Sequence, residues 1–410
     1  MGRYKQRRVK GNAQQREKFL QIFSGLRKEF TQRVEVPCEH FEDCGGCKLQ
    51  AHNYSDQVEI KRRSLEKLIE VTPGVSALKK LRVGAVASPR DYHYRQRMDF
   101  IVTPRGVGLR SSDGKQLTVD INNCHLIEDE SLKYFMAAKS LVSELGVVPY
   151  NPTTHEGEMR YITIRRTRHN QQMVAFLTTS AMTEEKMSPL VERMRELGAC
   201  SVYWSIDDGL GDDVSGEVRQ FWGQEFIEEE LLGKKFILGP LTFFQSNHDV
   251  AGFAYSEIRE FIQKCGAKKI LDLYSGTCTM PILFADLVDE VTAVENYSDN
   301  VAMARKNFEA NEVSNVSLLE ADVAEYLQAE GLNFEFSVLN PPRKGMNEAA
   351  VRRILEFKPK NLAYLSCHPR TLLEDLGILF REYTPIEIKI FDMFPQTEHF
   401  ETLVLLELKK

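Results

Sequence analysis

From about Ile237 to the C-terminus, short apolar runs alternate with helix-patterned stretches, and no other feature of the chain constrains its fold as tightly. Strands that are apolar on both faces need helices on both sides, which implies parallel crossovers. Candidate strands are Ile270–Leu273, Val291–Glu295, Val316–Leu319, Phe334–Leu339, Leu362–Ser366, Ile386–Asp392 and Thr402–Leu408. Helices fit between the first six. The last two lie too close for a crossover helix and predict a terminal hairpin. Residues 236–410 are therefore expected to form a seven-stranded, Rossmann-like α/β domain.

Upstream, the pattern is mostly extended. Met98–Thr103, Val107–Arg110 and Gln116–Asp120 read as a meander, with Asp113-Gly114 at one turn. Tyr161–Thr167 and Met173–Thr179 read as a hairpin around Arg168-His169-Asn170. Asp56–Ile69 and Thr183–Leu197 have helical periodicity. Residues 34–235 are expected to form a β-rich central domain. Residues 1–33 carry ten Lys/Arg against two Glu, a local +8, so the net −6 leaves −14 for the rest. This tail begins polar, Met1–Gln15, and continues as a short amphipathic segment with Phe19, Leu20, Phe23 and Leu26 on one side. It reads as a docked helix with a polar tail, as a tether to nucleic-acid phosphates, or as both.

At 410 residues, 42% hydrophobic and 27% charged, the chain has room for two or three soluble domains. No run of 18 apolar residues suggests a membrane span, and the basic start lacks a signal-peptide core. A cytoplasmic monomer is expected. In a reducing compartment, clustered cysteines point to metal or catalysis rather than disulfides.

In open α/β sheets, ligands bind beyond the carboxyl ends of the strands. The first such end is Asp272-Leu273-Tyr274-Ser275-Gly276-Thr277-Cys278-Thr279, whose glycine permits close backbone approach. The second strand ends in Glu295, placed to accept hydrogen bonds from ribose hydroxyls. The third is followed by Asp322, placed to bond an adenine amino group. A ligand with ribose and adenine but no phosphates, such as S-adenosylmethionine, suits this set, although many nucleotide-binding sheets share it.

The fifth strand ends in Ser366-Cys367-His368-Pro369, so Cys367 faces the same crevice at a helix start. The fourth ends in Asn340-Pro341-Pro342-Arg343, and the loop between the last two strands carries Glu398 and Glu401. A thiolate and a carboxylate facing a methyl donor suit one reaction well. Carbon 5 of uracil becomes nucleophilic once a thiolate adds to carbon 6, and a base must then remove the carbon-5 proton.

These motifs occur in a specific order: Tyr94-Arg95-Gln96-Arg97, Phe244-Gln245-Ser246-Asn247, Asp272–Gly276, the Pro-Pro-Arg turn, Ser366-Cys367-His368-Pro369 and His399-Phe400-Glu401. Together with an early Cys cluster they resemble the RNA uracil-C5 methyltransferase family over roughly residues 37–410. The resemblance implies an enzyme with a methyltransferase domain, Cys367 as nucleophile and Glu401 as general base. It implies methyl-donor contacts at Gln245, Tyr274, Ser275, Gly276, Glu295 and Asn340. The sequence departs from the family pattern at Cys278 (usually Gly), Asn340 (usually Asp) and His368 (commonly Asn).

Cys38, Cys44 and Cys47, with Cys124 farther on, form a four-thiol set that suits zinc or an iron–sulfur cluster by spacing. The resemblance implies a [4Fe-4S] cluster there. It also implies RNA as partner, with 23S ribosomal RNA the expected substrate and transfer RNA the alternative. A non-catalytic RNA-binding or ribosome-assembly protein with an altered donor loop is the competing reading. Phe243, Phe244 and Phe394 are candidates for lining a uracil pocket. Arg160, Arg165, Arg166, Arg168 and His169 could form a basic RNA-facing surface, with Arg95 and Arg97 as further contacts.

Overall fold

The computed structural model describes residues 17–113, 115, 118–212 and 214–410. The stretch Met1–Gln15, Gly114 of the expected turn and residues 116–117 of the third meander strand lie outside the described residues. Helix α1 (17–29) precedes the cysteine-bearing segment and α2 (Tyr54–Val71). Next come β1 (Gly84–Val86), β2 (Arg97–Thr103), β3 (Gly106–Arg110), β4 (Thr118–Asp120) and α3 (Asp129–Glu144). They are followed by β5 (Met159–Arg166), β6 (Gln172–Thr178), α4 (Glu184–Glu196), β7 (Ser201–Ile206), β8 (Glu217–Gly223), β9 (Ile227–Leu231), β10 (Lys234–Leu238) and α5 (His248–Cys265).

The C-terminal alternation runs β11 (Lys269–Leu273), α6 (Thr279–Phe284), β12 (Glu290–Glu295), α7 (Ser298–Ala310), β13 (Val316–Glu320), α8 (Val323–Tyr326), β14 (Phe336–Leu339), α9 (Glu348–Phe357), β15 (Asn361–Ser366), α10 (Pro369–Leu379), β16 (Tyr383–Phe391) and β17 (Glu401–Leu408). The Rossmann-like sheet has the order β1-β16-β17-β15-β14-β11-β12-β13. Strand β17 runs antiparallel to both neighbours, as a hairpin return must, while β11–β15 are mutually parallel. The order reverses between β12 and β14 around β11, which opens a crevice at their carboxyl ends.

The sheet has eight strands rather than seven. Strand β1 joins β16 in parallel, and α2 buries Leu65, Leu68 and Ile69 in the same core as Leu372 and Leu376 of α10. Residues 54–86 thus pack on the C-terminal sheet although they precede the β-rich region in sequence. A three-residue strand is too short to show periodicity. The second sheet, β4-β3-β2-β5-β6-β7-β8, is antiparallel except for β6 and β7, which α4 links as a crossover. Phe100 stacks on Phe135 of α3 at 3.7 Å between ring centroids, in a core shared with Trp204.

In α1, Phe23 and Leu26 are buried and Phe19 meets Phe400 at 6.3 Å. Leu20, expected on that face, is 42% exposed. At 100° per residue, positions 19, 23 and 26 share a stripe that excludes 20. Among the described residues, no helix is long and apolar enough to cross a membrane.

Candidate active site

Two strand registers bring the chemistry together. Ser366 of β15 lies opposite Thr402 of β17, so the next residue along one strand, Cys367, and the preceding one on the other, Glu401, meet at the end of the ladder. Glu401 is 3% exposed. Burial pushes its carboxyl up from the usual 4.5 to about 7, opposed by the nearby Arg343 guanidinium. Burial also pushes the Cys367 thiol up to about 11, with the Glu401 charge adding to the rise. Arg343 hydrogen-bonds the Cys367 side chain and pulls the other way. In the sequence Arg343 stands only in a turn; its closeness to both Cys367 and Glu401 is visible only in three dimensions.

The turn that presents Arg343 is anchored to α10. Thr371 donates its hydroxyl to the Arg343 carbonyl at 3.2 Å, and the Asp375 carboxylate accepts Met346 N–H at 2.9 Å and the Tyr364 hydroxyl at 2.6 Å. Gly345 has φ +73, and a Cβ there would lie 2.9 Å from Thr371, so this turn demands glycine.

The donor-side candidates gather at the ends of β11, β12 and β14. Tyr274 and Gly276 both hold left-handed backbone, φ 64 and 56, and the space beside Gly276 Cα is open. Cys278 also sits at φ 58, a conformation that favours glycine. Its side chain is buried against Ala293 and Ala304. Glu295 accepts Gly276 N–H at 2.8 Å and Tyr297 N–H at 2.9 Å, which fixes its carboxylate at the crevice rim. Ser275 donates to the Asp272 carbonyl at 2.9 Å. Asn340 N–H reaches the Leu273 carbonyl at 3.4 Å, setting Asn340 beside the β11 end. Asp322 is exposed and caps α8 through bonds from Ala324 N–H at 2.8 Å and Glu325 N–H at 3.2 Å.

Two further residues join the site. Asp272 is fully buried, and among the described residues its carboxylate oxygens have no hydrogen-bond partner of good geometry, the Ser275 hydroxyl going to the Asp272 carbonyl instead; burial pushes the carboxyl up to about 7, with Ser275 opposing the rise. A lone carboxylate inside the apolar run Ile270–Leu273 was the sequence signal for it. Buried Tyr255 of α5 hydrogen-bonds Gln245 and feels the charges of both Glu401 and Asp272, so it bridges the donor and chemical halves.

Several expected RNA contacts have other partners. Arg160 is buried, paired with Asp207 at 2.9 Å and bonded to the Asp207 and Gly209 carbonyls. Arg165 is buried against the Gly239 and Thr242 carbonyls, and burial lowers it to about 9. Both are enclosed because β5 is buried on both of its faces. Arg168 pairs with Asp249 at 2.6 Å and Arg97 with Asp99 at 3.0 Å. Phe244 is buried against Phe236 and Phe394 is partly buried, whereas Phe243 is 61% exposed.

Cys38, Cys44, Cys47 and Cys124 line one cavity together with Phe41, Leu109 and Ile121. Cys44 bridges to Ser111 beyond β3, and a Cβ on Gly45 would lie 2.9 Å from the Arg110 carbonyl, so close approach requires glycine. Among the described residues, no three His, Cys, Asp or Glu side chains are arranged to hold a metal ion.

Residues 219–409 match the family model described as tRNA (Uracil-5-)-methyltransferase. The chain is 31% identical to the tRNA (uracil(54)-C(5))-methyltransferase of Pyrococcus abyssi, over 91% of this chain and 86% of that one. It is 30% identical to the 23S rRNA (uracil(747)-C(5))-methyltransferase of Pyrococcus horikoshii, over 95% and 90%. The crystal structure of the P. abyssi tRNA (uracil-54, C5)-methyltransferase with S-adenosyl-L-homocysteine superposes with a TM-score of 0.74 at 30% identity, covering 88% of this chain and 85% of that one. With relatives at this identity along nearly its whole length and the same fold, the chain belongs to the RNA uracil-C5 methyltransferase family.

Proposed function

We propose that this protein methylates carbon 5 of a uridine in RNA, with Cys367 as nucleophile and Glu401 as general base. The observation that carries the reading is the ladder end that sets Cys367 beside a buried carboxylate, with Arg343 in contact with the thiol. Arg343 favours the thiolate form, and the Cys367 sulfur adds to uracil carbon 6. S-adenosylmethionine supplies the methyl group that carbon 5 then takes. Glu401 removes the carbon-5 proton, the carbon-6–sulfur bond breaks, and its electron pair returns to Cys367. A carboxyl with a pKa near 7 is well matched to accept that proton at neutral pH.

The crevice fits the methyl donor chemically. The unpartnered Asp272 carboxylate offers an acceptor for an ammonium group, Glu295 one for ribose hydroxyls, and the open space beside Gly276 admits close approach. Gln245, Tyr274, Ser275 and Asn340 would complete the contacts, and Asp322 would meet the adenine edge. Cys38, Cys44, Cys47 and Cys124, which share one cavity, would hold a [4Fe-4S] cluster through their thiolates. Its role would be to tie the early segment to the β-rich sheet.

The proposed substrate is 23S ribosomal RNA. The P. abyssi relative favours transfer RNA as a second reading. Nucleoside mass spectrometry on separated 23S and transfer RNA from a deletion strain decides between them. Loss of 5-methyluridine from 23S RNA, restored by the wild-type gene but not by Cys367→Ala, is expected. Unchanged 5-methyluridine in both RNAs would overturn the proposal.

A further inference from the structure

The loop from β16 to β17, which delivers Glu401, is held mainly from outside its own strands. Lys61 of α2 is buried with Asp392 at 2.6 Å and also donates to the Phe394 carbonyl at 2.9 Å. Tyr94 donates to the Pro395 carbonyl at 3.0 Å. The next residue, Gln396, is the densest node. Its carbonyl accepts N–H groups from Lys48 at 2.7 Å and Leu49 at 2.9 Å, the two residues that follow Cys47. Its side chain closes a reciprocal pair with Gln57 of α2. Gln57 Nε2 donates to Gln396 Oε1 at 2.8 Å, and Gln57 Oε1 accepts Gln396 N–H at 2.9 Å. Gln396 Nε2 donates to the Asp91 carbonyl at 3.2 Å.

Every hydrogen-bonding atom of Gln396 is therefore engaged, and the residue is buried. It holds this place at φ 69, a left-handed conformation that is strained for a non-glycine residue. Such strain persists only where the surroundings over-determine the conformation. Beyond it the chain turns through Thr397, whose hydroxyl accepts His399 N–H at 3.0 Å, and enters β17 at Glu401. None of these ties touches the strand ends that carry Cys367 or the donor-side residues.

We infer that Gln396 is a positioning residue for proton abstraction. With Gln57 and the Lys48–Leu49 backbone, it fixes the loop that aims Glu401, so the segment after Cys47 governs release of the product and not methyl transfer. The inference rests on Glu401 being the base. In the step concerned, the Glu401 carboxylate takes the carbon-5 proton. The carbon–hydrogen bonding pair becomes the ring double bond, and the carbon-6–sulfur pair returns to Cys367. A base must lie within hydrogen-bond reach of its proton, so a loosened loop slows this step while addition and methyl transfer continue.

The test uses the full-length protein, substrate RNA and methyl-labelled S-adenosylmethionine. It reads two quantities: labelled protein–RNA adduct on a denaturing gel and free 5-methyluridine. Gln396→Gly keeps the carbonyl, the N–H on Gln57 and the backbone angle but removes the side-chain bonds to Gln57 Nε2 and the Asp91 carbonyl. Gln57→Ala removes both bonds of the reciprocal pair from the other side, and Glu401→Gln is the reference. Both pair variants should accumulate methylated adduct roughly tenfold or more above wild type, with product release falling by a similar factor. Their first-turnover methyl transfer should stay within about threefold of wild type. If Glu401→Gln traps adduct but adduct and product fall together in the pair variants, or neither changes, the inference is overturned. If Glu401→Gln itself traps none, the assignment of the base fails, and this inference with it.

Discussion

Replacing Glu401 with glutamine should stabilise the fold at alkaline pH while stalling turnover. The carboxyl is fully buried, and burial raises it from 4.5 to about 7. A raised acid pKa means the folded state binds the proton more tightly than the unfolded state. The associated stability is present below pH 4.5 and lost as pH rises through 7. By pH 8 the wild type should have lost about 3 kcal/mol on this account, at about 1.4 kcal/mol per pH unit, and at pH 5 less than about 1 kcal/mol. Glutamine has no such dependence, and every other titrating group is common to both proteins. Urea unfolding of both proteins at pH 5 and pH 8 measures the change. The stability gap should widen in favour of Glu401→Gln by about 2–3 kcal/mol between the two values. A gap that stays constant, or narrows, would refute the buried carboxyl with a raised pKa from which the base is argued.

Other perturbations have separate readouts. Arg343→Gln removes the cation that favours the Cys367 thiolate. Adduct formation with 5-fluorouridine RNA should slow by about 10- to 100-fold and recover as pH rises, whereas a pH-independent loss would assign Arg343 elsewhere. If the Asp272 carboxylate meets an ammonium group, calorimetric affinity for S-adenosylmethionine should strengthen about tenfold from pH 6 to pH 8. Asp272→Asn should flatten that rise, and an unchanged slope in the variant would exclude the contact. Anaerobically purified protein should absorb broadly in the visible range and lose that absorbance in Cys47→Ser; stoichiometric zinc in a colourless wild type would contradict an iron–sulfur cluster.

The C-terminal strands were legible because most are short, largely apolar runs separated by helix-patterned stretches. Val291–Glu295 and Leu362–Ser366 are found within one residue of their expected ends. Strand β16 begins three residues early, at Tyr383, because Pro385 at an irregular register conceals the strand pattern there. Strand β1 carries too few residues for any period, and only its pairing with β16 identifies it. For Arg160 and Arg165 of β5 the reason is different. Period 2 separates the two faces of a strand but does not say that both are covered, and carbonyls of the 207–211 and 239–242 loops satisfy Arg160 and Arg165 inside. At the site, strand-end positions made Cys367, Glu295 and Gly276 readable. Arg343, Tyr255 and Gln396 act through contacts between segments far apart in sequence, which local pattern does not encode.

The nucleophile can be identified directly. The protein is incubated with S-adenosylmethionine and RNA carrying 5-fluorouridine, whose carbon-5 fluorine cannot leave as a proton, and the trapped adduct is digested and sequenced by mass spectrometry. The expected result is a single nucleotide-linked peptide attached through Cys367, absent from Cys367→Ala. An adduct on another residue, or equal trapping by Cys367→Ala, would contradict the mechanism at its first step.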